Sequence, residues 1–490
     1  MGKKDSPSEQ SKKSTSSNLK RLADSRTLRA AVLIAVLLLA AYTSFFRLGL
    51  EDWHADEPTY RKAGLAYVRD GNFNPNQEHP FLAKYILGLT QVLSGSSEAG
   101  VVRIPAATAT LLTGLVLFAF ARRVAGYWVG VVALALWTIS PLTLDFGRDA
   151  TLEIFLMFFS TLALYLGWRW AEGGSWWFAG FCGVAVGLAT ASKLVGILFL
   201  PAILLVGLLK IGLGRRLVFG GMVVGLAALA TVLITYAPAW SEAPSAIRYM
   251  FEFQSEHNVE GHRESLNGEV YKFPPWWAHL WWQWDFYGTL ASLSLGVALL
   301  IALLRRRALE LYLLVAALVP FLVLSFYVQV KLSHYFGAWQ PPLILLLAIV
   351  SGKLTQQGVA TGGRAVARVI LAVLLLAPFV YLGAQALQSV SHKQTGPNRA
   401  VAQYLKDTGH DRDTMLVHSA RIKEYLPDED RVLDKVEDAQ GKEIEVVIIN
   451  RNSSKPRQAA ITDYLESNRD RFEHSYTRGN TDVYTRKPDR

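Results

Sequence analysis

The chain has 490 residues and a formal net charge of +10, and 51% of its residues are hydrophobic while only 18% are charged. Soluble globular proteins carry about 25% charged residues, so this composition predicts a polytopic membrane protein whose apolar residues form bilayer-long runs. The single cysteine, Cys182, excludes a disulfide framework and a cysteine-based metal site.

The first segment, residues 1–28, is rich in serine and lysine and is predicted to be a disordered tail. The apolar run that follows, "RAAVLIAVLLLAAYTSFF" (29–46), has no small-residue cleavage site and is predicted to be a retained membrane helix. Eight lysine or arginine residues precede or begin this run, which predicts a cytoplasmic N-terminus.

Length and hydropathy predict about eleven membrane spans, which together form a membrane domain over residues 29–388. With the N-terminus inside, every short basic loop, including Arg122–Arg123 and the "RRR" at 305–307, falls on the cytoplasmic side, as the positive-inside rule requires. The longer loops, 47–103 and 238–286, fall on the opposite side. The predicted spans are 30–46, 104–121, 127–143, 151–168, 176–191, 194–211, 217–237, 287–304, 309–328, 335–351 and 369–388.

The charge density rises in the last segment, residues 389–490. "NRAVAQYLKDTG" (398–409) has a helical pattern, while "TMLVHSA" (414–420) and "EVVIINR" (445–451) are typical of buried strands. The predicted fold is therefore a polytopic α-helical membrane protein with a small C-terminal α/β domain. An odd number of spans predicts that this domain is extracytoplasmic.

Two adjacent carboxylates, Asp56 and Glu57, follow the first span. They are either the solvated start of a loop or part of a polar site at the membrane surface. The same loop continues with His79 and Lys84 into an amphipathic stretch, which predicts an interfacial helix that roofs a cavity.

The fourth span opens with "GRDATLEIFLMFF" (147–159), which contains Arg148, Asp149 and Glu153. Residues 149 and 153 are one turn apart on a helix. A carboxylate inside an apolar run is expected to face the bundle interior or a wet cavity, and such a residue predicts function. The alternative is an interfacial Arg–Glu pair.

Several cations lie at the same predicted membrane depth. Lys193 follows a span with no acid near it in sequence, and Arg103 opens the second span. Each either extends its ammonium or guanidinium to the interface or binds a phosphate. The turn "QVKLSHYF" (329–336) adds Lys331, His334 and Tyr335. Acids and cations at one depth suit a charged lipid headgroup.

The loop "FPPWWAHLWWQWDFY" (273–287) holds five of the fourteen tryptophans. An aromatic belt at the membrane interface and a surface for stacking on a sugar are both consistent with it. His257, His262 and His279 lie in or near this loop. They are weak candidates for metal ligands, because their spacing matches no standard metal signature; ordinary hydrogen bonding is the alternative.

Together these motifs resemble the polyprenyl-phosphate-sugar-dependent glycosyltransferases of the GT-C fold, in the branch with protein O-mannosyltransferases and the aminoarabinose transferase of lipid A modification. The resemblance covers most of residues 30–350. The chain departs from the pattern in two places: Phe81 replaces a proline in "HPFL", and the 238–286 loop is too short for the mannosyltransferases' carbohydrate-recognition domain. The motifs that carry the resemblance are "ADEPTY" (55–60), "EHPFLAKYILG" (78–88), "VRIP" (102–105), "GRDATLEIFLMFF" (147–159) and "GLATASKLVG" (187–196).

The resemblance implies a role for each matching residue. Asp56 corresponds to the candidate general base or acceptor-orienting acid, Glu57 to its partner and Glu153 to the acid of the fourth span. The implied donor-phosphate ligands are Lys193, Arg103, Arg148 and Lys84. The remaining site candidates are His79, Asp149, His334, Tyr335 and Lys331.

The resemblance also implies an activity. The expected protein is a multi-pass enzyme of the plasma membrane that moves a sugar from a polyprenyl phosphate to a hydroxyl of a protein, lipid or glycan, with inversion; no nucleic-acid partner is expected. Members of the family differ over metal dependence, so a divalent metal is neither required nor excluded. The alternatives are a transporter or flippase of polyprenyl-linked glycans, and a receptor or scaffold acting through the C-terminal domain.

Overall fold

The computed structural model describes residues 25–54, 56–358, 363–451 and 456–488. Most of the predicted tail, residues 1–24, lies outside the described residues. The chain divides into two compact units. The first, the membrane unit, comprises Thr59–Ser391 with the described residues up to Phe46, and the second comprises Arg47–Pro58 together with His392–Arg490.

The membrane unit is built from helices, with one short hairpin of strands β1 (Glu264–Leu266) and β2 (Glu269–Tyr271). The α-helices of nine residues or more, in chain order, are α1 (Arg26–Phe45), α2 (Glu57–Leu65, which begins in the second unit), α3 (Leu82–Ser94), α4 (Ile104–Ala125), α5 (Tyr127–Thr138), α6 (Leu152–Gly173), α7 (Trp176–Ser192), α8 (Leu200–Ile211), α9 (Arg215–Tyr236), α10 (Ala243–Glu260), α11 (Ala278–Arg305), α12 (Ala308–Leu322), α13 (Gln340–Gly358) and α14 (Gly363–Ser391).

Each predicted span overlaps a helix, but a count of eleven spans is not confirmed. Among the described residues, eight helices are long and apolar enough to cross a bilayer, and a ninth span results if α5 is joined to Pro141–Arg148 across a bend of 58°. Helix α7 has only 17 residues, fewer than the ~20 that a straight span needs. Helix α13 ends in the polar stretch "SGKLTQQG". The predicted polytopic helical class is confirmed.

Close helix packing depends on small residues. Gly183 and Gly187 form a G-x-x-x-G pattern on α7, and a Cβ on Gly187 would lie 2.6 Å from the Ala228 carbonyl oxygen of α9. Only glycine permits this approach of two backbones, which is the usual basis of helix association in a bilayer.

Three interruptions of the helices place polar residues within the bundle. Lys193 ends α7 with an extended backbone (φ −153°, ψ 135°) and is followed by the 3-10 helix Leu194–Phe199. The 3-10 helix Ser333–Ala338 precedes α13. Helix α6 begins after the extended residue Thr151. All three interruptions contribute to the site described below.

The second unit has the predicted α/β fold. Its elements are α15 (Pro397–Asp407), β3 (Met415–Val417), β4 (Val432–Leu433), β5 (Val446–Asn450), α16 (Pro456–Ser467), β6 (Phe472–Arg478) and β7 (Thr481–Arg486). The strands form one sheet in the order β4-β3-β5-β7-β6, with β3 parallel to β4 and β5, and β7 antiparallel to β5 and β6.

Both faces of this sheet are covered. Along β5, Val446 and Ile448 face one hydrophobic core, which α15 completes through Leu405. Val447 and Ile449 belong to the other core. The two-residue period of a strand thus supplies two cores from one apolar run.

A segment from the start of the chain also belongs to the second unit. Arg47–Pro58, here called the acidic segment, was predicted to be part of an outer loop of the membrane domain, but it groups with the C-terminal sheet. The long separation in sequence explains why no local pattern indicated this association.

Candidate active site

The membrane unit contains a buried group of charged side chains, here called the Glu153 cluster: Glu153, Lys193 and His334. The Glu153 side chain is 8% exposed, its Oε1 accepts a hydrogen bond from Lys193 Nζ, and His334 Nε2 lies 3.1 Å from the same oxygen. These three residues, which the sequence placed in three separate motifs, form one site.

The α6–α7 hairpin explains why Glu153 and Lys193 meet. Glu153 is the second residue of α6 and Lys193 directly follows α7, and the two helices are joined through Gly174, whose φ of 63° permits a tight turn. Antiparallel helices of similar length bring the start of one to the end of the other. A carboxylate at membrane depth therefore has a cation as its partner, as the cost of an isolated charge there requires.

Aromatic rings border the cluster. Lys193 Nζ lies 4.5 Å from the centroid of the Tyr335 ring, within the range of a cation–π interaction. The Tyr335 and His334 rings are 5.1 Å apart. His279 lies behind Tyr335, with 6.2 Å between ring centroids, and its Nδ1 is 2.9 Å from Ser325 Oγ.

His79, in the loop before α3, lies within electrostatic range of the same cluster. Burial and the positive charges of Lys193 and Lys84 lower the pKa of His79 to about 3. Its electrostatic neighbours also include Glu153 and His334. The His79 ring is therefore neutral over the ordinary pH range and can exchange hydrogen bonds without adding a charge.

Lys84 is fully buried and orders that loop. Its Nζ donates to the carbonyl of Asn76 and, at 2.8 Å, to that of His79, and it lies 5.4 Å from the Phe81 ring. Phe81 belongs to an aromatic core with Tyr67 and neighbouring rings. The phenylalanine that replaces a proline in "HPFL" therefore has a role in packing. The donor-phosphate role of Lys84 stays a prediction.

Two arginines are buried nearby in the fold. Arg103, which precedes α4, places its Nε 3.9 Å from Asp149 Oδ1, and its side chain is 1% exposed. Arg148, also 1% exposed, donates from Nη2 to the Phe46 carbonyl. The alternative interpretation of this motif, a pair between Arg148 and Glu153, is not found among the described residues; Glu153 pairs with Lys193 and His334 instead.

The other candidates of the turn and of the tryptophan-rich loop do not form a single group of side chains among the described residues. Lys331 is buried, and burial lowers its pKa. His257 and His262 rings lie 5.6 Å apart, but His279 is elsewhere, beside Ser325. Among the described residues, no group of three His, Cys, Asp or Glu side chains is placed to hold a metal ion, so the three histidines do not form the weakly predicted metal site.

The acidic pair lies in the second unit. Glu57 is fully buried, and its Oε2 accepts a hydrogen bond of 2.6 Å from the His54 backbone. Asp56 is half-buried in the turn before α2. The two carboxylates thus differ: Glu57 closes a turn, which leaves Asp56 as the candidate for contact with substrate.

Comparison with known proteins gives one family match. The model of the dolichyl-phosphate-mannose-protein mannosyltransferases matches residues 78–241. This range holds His79, Lys84, Arg103, Glu153 and Lys193, but neither the acidic pair nor His334. No curated protein sequence gives a significant match.

Solved structures match almost the whole chain. ArnT from Cupriavidus metallidurans bound to undecaprenyl phosphate is 16% identical, with a TM-score of 0.62, and the match covers 94% of this chain and 98% of that one. The chain has the GT-C fold. The apo oligosaccharyltransferase of Archaeoglobus fulgidus is 13% identical, with a TM-score of 0.55 and coverage of 95% and 75%.

This fold and the family match confirm the predicted resemblance to membrane glycosyltransferases of the GT-C type. A further structure, AglB from Archaeoglobus fulgidus in complex with an inhibitory peptide and a dolichol-phosphate, is 12% identical, with a TM-score of 0.52 and coverage of 94% and 74%.

Two groups of residues were missed at the sequence level. One is a second ion pair, Glu310 and Lys353, whose Oε1 and Nζ are 2.8 Å apart; the glutamate is fully buried and the lysine side chain is 16% exposed. An acid in the first turn of an apolar helix signalled it, as for Glu153. The other is Glu51 and Asp52 of the acidic segment, whose partners lie near residue 395; nothing local in the sequence indicates them.

Proposed function

We propose that this protein transfers a sugar from a polyprenyl-phosphate donor to a hydroxyl of an acceptor, at the outer face of the plasma membrane and with inversion. In this proposal residues 29–388 form the transferase domain, the N-terminus is cytoplasmic and the domain at 389–490 is extracytoplasmic. The acceptor class is a protein, a lipid or a glycan.

The observation that carries the proposal is the Glu153 cluster within a GT-C fold. A donor phosphodiester carries one negative charge and gains another as the sugar leaves. Lys193 is a buried ammonium beside a helix interruption and an aromatic ring, a setting in which a cation stabilises developing charge far more than in water. Its counter-ion, Glu153, also contacts His334 and so keeps a partner when Lys193 turns to the phosphate.

The transfer step balances as a single displacement. The acceptor oxygen forms a bond to the anomeric carbon while the bond from that carbon to the phosphate oxygen breaks. The acceptor proton passes to the Asp56 carboxylate, acting as general base, and the electron pair leaves with polyprenyl phosphate. One base is enough because phosphate leaves without a strong acid, unlike the leaving group of glycoside hydrolysis.

The test uses purified full-length protein with labelled polyprenyl-phosphate sugars and candidate acceptors. We expect label on the acceptor, an equal amount of released polyprenyl phosphate, and the opposite anomeric configuration in the product. Asp56→Asn should lower turnover by about 100- to 10,000-fold, while the exposed-site control Asp70→Asn should not. Movement of the donor across vesicles without transfer to any acceptor would support the flippase alternative and contradict the proposal.

A further inference from the structure

The acidic segment is attached to the C-terminal domain by hydrogen bonds on both sides of Asp52. Gly396 donates its backbone N–H to the Leu50 carbonyl at 2.9 Å, and Trp53 donates its N–H to the Tyr425 hydroxyl at 2.8 Å. Arg399 donates to the Gly49 carbonyl, and Lys393 forms an ion pair with Glu51. A segment of a dozen residues thus has four anchors on elements more than 340 positions later in the chain.

Asp52 makes the central contact, because it caps helix α15 from a distant part of the chain. Its Oδ1 accepts the backbone N–H of Arg399 at 3.0 Å, and its Oδ2 accepts the backbone N–H of Asn398 at 3.0 Å. The N-cap residue of α15 is Gly396, which has no side chain. The first N–H groups of a helix have no partner within the helix, and a carboxylate there also interacts favourably with the helix dipole.

The close contact between Asp52 and Gly396 leaves no room for a side chain at position 396. A Cβ on Gly396 would lie 2.5 Å from the Asp52 backbone nitrogen and would overlap the Asp52 carboxylate. Gly396 has φ −58° and ψ 149°, a conformation that any residue adopts. Glycine is therefore required by the close approach of Asp52 rather than by the backbone angles.

We propose that the C-terminal α/β domain holds the acidic segment in its working conformation, with Asp52 as the positioning residue for Asp56. This inference rests on the proposed function, since it gives the domain a part in the transfer step. Asp56 lies only four residues after Asp52, and the next residue, Glu57, closes the turn around Asp56 by accepting the His54 backbone N–H. Releasing Asp52 would free the turn that carries the general base.

Two substitutions break the contact from opposite sides: Asp52→Ala removes the cap, and Gly396→Ala displaces the segment. Each should lower kcat by about 10- to 100-fold, because misplacing a catalytic group by about 1 Å has an effect of that size. The KM for the donor should change less than about twofold. Asp52→Asn should lower kcat less than Asp52→Ala does, because the amide keeps one of the two acceptor oxygens that cap the helix.

The control is Asp428→Ala, which removes a side-chain cap elsewhere in the same unit; Asp428 accepts the Asp430 N–H at 3.2 Å, and its Oδ2 lies 3.2 Å from Arg431 Nε. It should lower the melting temperature without lowering kcat. All assays are run well below the melting temperature of the least stable variant. An Asp52→Ala or Gly396→Ala protein that melts earlier but turns over like the wild type would overturn the proposal.

Two further measurements separate this proposal from the proposed function. Hydrogen exchange of residues 47–58 should accelerate in Asp52→Ala and Gly396→Ala, and unchanged exchange would overturn the positioning role whatever the activity. Combining Asp52→Ala with Asp56→Asn should lower kcat no further than Asp56→Asn alone, since both act through one carboxylate. Additive losses would show that Asp52 acts elsewhere, while an inactive wild-type protein would refute the transferase itself.

Discussion

Two lysine–glutamate pairs of the membrane unit, each with a buried carboxylate, have the same chemistry and different surroundings. Glu310 and Lys353 lie within regular helices, in the first turn of α12 and near the end of α13. Lys193 lies at a helix interruption, and its partner Glu153 is shared with His334. A pair between two regular helices is fixed by its backbone, whereas a pair at an interruption, with a third polar group beside it, can exchange partners.

The different surroundings of the two pairs predict different contributions to stability and to function. Breaking a buried ion pair by removing one partner costs about 3–5 kcal/mol wherever it lies, because the remaining charge is left uncompensated. In the part of the chain that the structure describes, the cation of the Glu153 cluster lies against an aromatic ring, and a neutral histidine, His79, is among the electrostatic neighbours of the cluster. We therefore expect both pairs to stabilise the fold and only one to take part in transfer.

Replacing the two lysines gives the largest expected difference. Lys193→Ala should lower kcat/KM for the donor by about 100- to 1,000-fold, the loss typical of removing one group that stabilises developing negative charge. Lys353→Ala should destabilise the protein and leave kcat/KM within about twofold. The measurement is a donor saturation curve for each purified variant at a temperature where all are folded.

Lys193→Arg tests whether the charge of Lys193 or the geometry of its ammonium group matters for donor use. It keeps the positive charge but replaces a compact ammonium with a planar guanidinium, so only part of the lost activity should return. An unchanged donor saturation curve for Lys193→Ala, or an equal loss for Lys353→Ala, would remove the functional distinction between the two pairs.

The two glutamates give the second comparison. Glu153→Gln should lower turnover by about 10- to 100-fold, because Lys193 and His334 lose the oxygen that orients them. Glu310→Gln should change turnover little, and both variants should melt earlier than the wild type. Turnover and thermal unfolding of each variant in detergent provide the test; equal losses of turnover would mean that the two pairs are equivalent.

The sequence was sufficient for part of the site. An acid inside an apolar run predicted that Glu153 faces the bundle interior, and the two consecutive helices between Glu153 and Lys193 could have predicted that these residues lie at the same end of a helical hairpin. The contact of His334 with the same carboxylate depends on how α12 and α13 pack, which no local pattern encodes. The cap made by Asp52 depends on residues more than 340 positions away, and the segment that contains it has no strand or helix pattern of its own.

Lys84 extends the comparison to a third buried lysine, whose Nζ donates hydrogen bonds to two backbone carbonyl groups. Lys84→Met keeps the length of the side chain but leaves two carbonyls without their donor, at a cost of about 1–3 kcal/mol for each buried group. Turnover should fall by about tenfold or less, equivalent to ~1.4 kcal/mol of barrier, because the loop loosens while Lys193 stays in place.

The matched control for Lys84 is Lys210→Met. Lys210 is exposed and lies 4.9 Å from the Trp168 ring, so its replacement should change stability by no more than about 0.5 kcal/mol. Loss of donor binding in Lys84→Met as severe as that in Lys193→Ala would instead assign Lys84 to the donor phosphate.

The smallest expected effect concerns the pH dependence of stability. Burial and the charges of Lys193 and Lys84 lower the pKa of His79 from its usual 6.5 to about 3. Between these values the unfolded chain binds a proton that the folded chain does not, so stability is complete above pH 6.5 and declines as the pH falls towards 3. His79→Gln cannot take up that proton. The stability of the wild type relative to His79→Gln should therefore decrease on acidification, by at most about 1.4 kcal/mol per pH unit.

Thermal unfolding at pH 7, 6 and 5 measures this difference, with the partly exposed His474→Gln as control. Lys193→Ala should weaken the effect, because one of the two cations that keep His79 neutral is gone and its pKa moves back towards the usual value. A difference between wild type and His79→Gln that stays constant from pH 7 to 5, or that is insensitive to Lys193, would place His79 outside the electrostatic reach of the cluster. The loop before α3 would then have no share in the charged site, and the distinction between the two lysine–glutamate pairs would rest on His334 and Tyr335 alone.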